Sequence, residues 1–234
     1  HGPTVPSYCK THEPFALMSE HMSRSSAWSR YRFLTAHAFR MEWRQKHGLA
    51  GLLLFALASV YACYQVAGGR ASSETWNALA WVVLMFSAFN AVAKPWPEDS
   101  EAMRKYLKTA LRPGEWILAR MTFYSAILSA LSVLIFLSFT LFLGSEHFNP
   151  RQGLSFLLGL ECTALAFASL LSVLSAISSR AGAGFGLTAV LGLPLIIPIV
   201  LISTRYGTDI LKGILWIDTA HHLLFLAALT GGIG

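Results

Sequence analysis

Apolar residues gather into six long runs, at 49–67, 76–93, 116–143, 154–177, 185–202 and 210–230, separated by short stretches rich in polar residues, Gly and Pro. A helix needs about 20 apolar residues to cross the hydrocarbon core of a bilayer. The spacing predicts an all-α, polytopic membrane protein with about six transmembrane helices. The third run is long enough to tilt or to begin in the interface. The last is the weakest and stops at Gly-Gly-Ile-Gly without a basic or aromatic anchor, so the chain is expected to continue past Gly234.

The N-terminal part has a different pattern. Residues 1–27 show no periodicity, hold Pro3, Pro6 and Pro14, and begin with His1. They are read as a disordered or non-native tail. Over residues 28–47, Leu34, Phe33 and Ala36 alternate with Arg30, Arg32, Arg40, Arg44 and Lys46 at near-helical spacing, and Trp28, Phe39 and Trp43 add aromatic bulk. A basic helix with aromatic anchors lies in the plane of the membrane interface. Arg40, Glu42, Trp43 and Arg44 are the expected core of that element.

Composition agrees. Of 234 residues, 54% are hydrophobic and 13% charged, against about 25% charged in soluble domains. The formal charge of +6 comes from basic residues beside apolar runs, so the phospholipid surface is a better acceptor than nucleic acid. Lys and Arg in short loops set orientation. The basic N-terminal helix, the loop from Lys94 to Arg120, and Arg180 fall on one side; only Arg70, Arg151, Arg205 and Lys212 fall on the other. The N-terminus is therefore expected in the cytoplasm.

The loop at 95–114 is the most charged segment between runs. Pro95 and Pro97 end the second run. Glu98, Asp99 and Glu101 then suit the positive end of a new helix, with Arg104, Lys105 and Lys108 further along. Such a helix is a docking element for a soluble partner, or simply a solvated loop. Pro194 and Pro198 lie four apart in the fifth run and each removes a backbone donor, which predicts a kink or break there, structural or hinge-like.

Few polar residues enter the runs. Asn90 is near the end of the second, Glu161 about a third of the way into the fourth, and Asp218, His221 and His222 in the last. Glu115 and Arg120 bracket the start of the third and are expected at the interface. Charged groups in a bilayer are costly and face the protein interior, which makes Glu161 either a functional candidate or a protonated acid hydrogen-bonded to a neighbouring helix. Adjacent His221 and His222 point about 100° apart on a helix and are poorly placed to share an ion. Cys9, Cys63 and Cys162 lack metal-site spacing. The chain has no phosphate-binding loop, HExxH or GxSxG. Ala164, Ala166, Ala168 and Ser169 permit close helix contacts.

Four segments, taken in order, are similar to the CcmB family, the permease subunit of the cytochrome c maturation ABC transporter, also called haem exporter protein B. They are EWRQKHGLAGLLLF at 42–55, TWNALAWVVLMFSAFNAVAK at 75–94, the loop leaving through LRPGEWILARM, and GLTAVLGLPLIIPIVL at 186–201. The resemblance spans roughly residues 30–230. It implies an ABC-2-type permease of the bacterial inner membrane, working with a CcmA-like ATPase and CcmC-like and CcmD-like membrane subunits. A CcmE-like periplasmic haem chaperone would be an indirect partner. The subunit itself would be non-catalytic, with ATP on the partner and haem as a handled or transported ligand, no cofactor or metal being bound directly. The helix at 98–111 would be the coupling helix for the ATPase, and 30–46 the interfacial connecting helix. Two other readings stand beside this one: a scaffold for a haem-handling complex, and an intramembrane enzyme using Glu161 with His221 or His222.

Overall fold

The computed structural model describes residues 32, 35, 36, 39, 40, 46–69, 71–93, 113–144, 149–181, 184–214 and 216–233. They form six long helices: α1 Lys46–Val66, α2 Ser73–Val92, α3 Pro113–Leu143, α4 Pro150–Ala181, α5 Gly184–Leu211 and α6 Trp216–Ile233. Among the described residues there is no strand. Five helices are long and apolar enough to cross a membrane, over Gly48–Val66, Ser73–Val92, Ile117–Leu143, Pro150–Ser178 and Gly186–Leu211. The 18-residue α6 is not among them; Asp218, His221 and His222 dilute its first half.

The element ends have local causes. Gly68 and Gly69 follow α1 with φ of 63° and 80°, a left-handed turn that other residues adopt only at a cost. Ser72 caps α2, its Oγ accepting from the Thr75 N–H at 3.2 Å, and Glu74 suits the positive end of that helix. Pro113 opens α3, where its missing N–H costs nothing, so part of the turn expected before the third span is already helix.

Ring contacts fix the direction of neighbouring helices. Trp76 at the start of α2 lies 5.4 Å from Phe139 at the end of α3 and 5.0 Å from Phe156 near the start of α4. Tyr64 at the end of α1 lies 5.9 Å from Phe142. The helices therefore alternate in direction. The end where α1, α3 and α5 begin is the near end, and the end where they finish is the far end.

α4 is the hub, packing against α2, α3, α5 and α6. Within the spans 67% of α4 and 61% of α2 are buried, against 17% of α1. Ala164, Ala166, Ala168 and Ser169 are all buried in α4, where small side chains let backbones approach. Leu54, Leu137, Leu141, Val190 and Leu224 stand exposed on the outside. An apolar exterior over an equally apolar interior suits lipid and not water.

Two expectations are corrected. The fifth run was expected to end at 202 and to kink or break at its prolines; it does not break, since α5 continues through Pro194 and Pro198 to Leu211. Both prolines are exposed, while Ile196 and Ile199 between and beyond them are buried. Packing on the inner face holds the helix although two ladder hydrogen bonds are missing on the outer one. The polar stretch 203–209, expected as the connection to the last run, is the final two turns of α5. The last run accordingly begins at Trp216 and not at 210.

Candidate functional site

Glu161 is the one acidic side chain described within the middle of the bundle. It stands 11 residues after Pro150, about 16 Å along the axis of α4 at roughly 1.5 Å per residue. It is half-buried and faces α3. Ser129 Oγ donates to its Oε2 at 2.6 Å, and Ser132 Oγ lies 2.5 Å from its Oε1. Ser132 Oγ also lies 2.7 Å from the Ser129 carbonyl. One hydroxyl hydrogen is thus shared between two acceptors. Serines one turn apart on α3 place both hydroxyls on the face that meets α4. The arrangement ties two central spans together and holds the site's only acid by both oxygens.

A second polar cluster fastens the far end. Asn77 is 2% exposed. Its Nδ2 donates to the Thr204 carbonyl at 2.9 Å and to Thr208 Oγ1 at 3.0 Å, and its Oδ1 accepts from Trp81 Nε1 at 2.7 Å. Thr163 and Ser203 hydroxyls meet at 2.8 Å, joining α4 to α5. Tyr206 OH donates to the Ser155 carbonyl at 2.7 Å. These contacts need two glycines. A Cβ on Gly159 would enter the Tyr206 ring, and one on Gly207 would meet Asn77 Oδ1 and Phe156 Cε2. Hydrogen bonds between helices in a bilayer average about 0.6 kcal/mol and reach roughly 1.7. Asn77→Ala removes three and is expected to cost about 2 kcal/mol, measured as loss of unfolding free energy on titrating detergent-solubilised protein with a denaturing detergent; a change under about 0.5 kcal/mol would contradict the network.

At the same end His222 Nε2 lies 3.5 Å from Asp209 Oδ2, linking α6 to α5. The rings of His221 and His222 lie 3.9 Å apart, closer than their divergence along the helix had suggested. Among the described residues no group of three or more His, Cys, Asp or Glu side chains is arranged to hold a metal ion.

Arg120, expected at the interface near the start of the third span, is 3% exposed, packed between helices. Its Nη2 donates to Tyr124 OH at 3.4 Å, and the guanidinium lies 5.7 Å from that ring. The aromatic partner one turn on shields the charge. Asn90 is half-buried near the end of α2. Of the interfacial residues, Arg40 is helical and exposed; Glu42, Trp43 and Arg44 lie outside the described residues. So do all six residues of the expected docking helix, Glu98, Asp99, Glu101, Arg104, Lys105 and Lys108. Arg32, Thr35, Ala36, Phe39 and Arg40 are all helical, and Thr35 Oγ1 donates to the Arg32 carbonyl at 3.0 Å. Phe39 seats its ring edge-on against Phe123, 5.4 Å between centroids. That contact packs Phe39 against the first half of α3.

Sequence comparison with protein-family models and with curated proteins finds no match in either.

Proposed function

We propose that this chain is the permease subunit of an ABC transporter of the cytochrome c maturation type, with six spans in an ABC-2-type arrangement and a cytoplasmic N-terminus. It would convert ATP hydrolysis on a CcmA-like partner into movement of its helices, for haem handling or for release of a haem-loaded CcmE-like chaperone, beside CcmC-like and CcmD-like subunits. The order of the four CcmB-like segments supports this reading. The observation that carries it furthest is the Phe39–Phe123 contact. It puts Phe39, flanked in the chain by exposed Arg40, against α3, the helix that follows the charged 94–112 stretch in sequence. A soluble ATPase docking on that stretch would have this basic segment for a neighbour.

Arg104→Glu, Lys105→Glu and Lys108→Glu together reverse the charge of the docking helix. Co-purification of the ATPase subunit in mild detergent is expected to fall at least tenfold, with the permease still inserted. Unchanged recovery of the ATPase would remove the docking assignment. A scaffold without transport predicts instead that an ATPase-dead partner leaves cytochrome c maturation intact.

A further inference from the structure

We propose that the near end of the bundle holds one anionic phospholipid, its acyl chain in a groove between α1 and α3 and its phosphate on Arg32 and Arg40. The groove is a cavity of about 240 Å³ lined by apolar side chains, among them Phe39, Leu49 and Leu53 on one side and Phe123, Ala126 and Ala130 on the other. Ala126 and Ala130 lie four apart on α3 and are both exposed. Larger residues there would close the space, so the groove exists because these two positions are small. Leu53 is 45% exposed, which leaves the groove open along the side of the bundle. Phe39 roofs it, reaching from the basic segment to Phe123.

Charge selects the occupant. Arg40 directly follows Phe39, and Arg32 lies two turns earlier; both are helical and exposed. An apolar slot roofed by Phe39, with exposed Arg40 next to that roof in the chain and exposed Arg32 on the same basic segment, matches a two-part ligand with a hydrocarbon tail and an anionic head. A zwitterionic lipid satisfies the slot but repays the arginines less. Arginine also grips phosphate oxygens through paired N–H donors, which a point charge does not. Each basic residue near an anionic membrane surface contributes about 1 kcal/mol, so two correspond to roughly a 30-fold preference.

The test uses the full chain purified in mild detergent, exposed in turn to phosphatidylglycerol and phosphatidylcholine, with retained lipid counted by native mass spectrometry. The wild-type protein is expected to retain one phosphatidylglycerol at least tenfold better than phosphatidylcholine. Arg32→Gln with Arg40→Gln should bring the two lipids level. Ala126→Phe with Ala130→Phe should fill the groove and lower retention of both lipids, with the arginines intact. Equal retention of the two lipids by the wild type would show annular lipid only and overturn the proposal. Undiminished phosphatidylglycerol binding in either double variant would do the same, circular dichroism having shown that each variant keeps its helix content.

Discussion

Gly207→Ala is expected to unfasten α2 from α5. The added Cβ falls on Asn77 Oδ1 and within 2.9 Å of Phe156 Cε2. Neither neighbour has room to yield. Asn77 is held by Thr204, Thr208 and Trp81, and the Phe156 ring is packed between Trp76 and Trp81. The variant must either break the asparagine's hydrogen bonds or push the helices apart. Overpacking a filled site costs roughly 1–3 kcal/mol, and lost hydrogen bonds add about 1 more. Thermal unfolding in detergent should therefore show a clear fall in midpoint. Gly186→Ala is the matched control, since no atom lies within 4 Å of a Cβ there. Alanine is the better helix former by up to about 1 kcal/mol, so that variant should hold or gain stability. Like responses from the two variants would mean that α2 and α5 do not approach as closely as described.

The second large effect is at Glu161, and its sign depends on which partner is removed. Ser129→Ala with Ser132→Ala leaves the acid in the middle of the bundle without its two hydroxyl partners. A polar group stripped of partners costs more than the hydrogen bond was worth, and a bilayer offers it no water. A loss of about 2–4 kcal/mol is expected. Glu161→Gln should be close to neutral, because the amide brings hydrogens to a site where Ser132 supplies one to two acceptors. Adding Glu161→Leu to the serine pair should recover most of the loss, since replacing all partners by apolar groups is far cheaper than orphaning one. If the triple variant is as unstable as the serine pair, Glu161 is not the source of the cost. Under the proposed function, cytochrome c maturation assayed alongside separates the readings: an intramembrane enzyme would need the acid, whereas a permease would tolerate Gln.

What the residues announced in advance follows the same physics. The spans were legible because a bilayer imposes a length and excludes charge, and α1 to α4 lie within a few residues of their apolar runs. Glu161 was legible as an acid where few occur. The far-end cluster was not. Ser203, Thr204, Tyr206 and Thr208 read as a polar connection because composition cannot distinguish a helix end buried among partners from a loop in water. Only the helical period linking Ser203, Tyr206, Gly207 and Ile210, all buried, hinted at it. The burial of Arg120 was not legible for a related reason, since nothing in its sequence neighbourhood announces its contact with Tyr124. Of the kink or break expected at the prolines of α5, the break is absent, because tertiary packing keeps the helix whole.

The uneven placing of polar contacts has a mechanical consequence. Asn77, Tyr206 and the rings around Trp76 all tie the far end, with the Thr163–Ser203 pair level with Glu161, while the near end of α5 meets its neighbours through apolar side chains such as Phe89, Leu171 and Leu174 at Gly192. The bundle is built like tongs riveted at the far end. Under the proposed function, force from a docked ATPase would be spent in spreading or closing the near end, with little displacement at the rivet. Paired spin labels should then report wide distance distributions between the starts of α3 and α5, and narrow ones between the start of α2 and the end of α5.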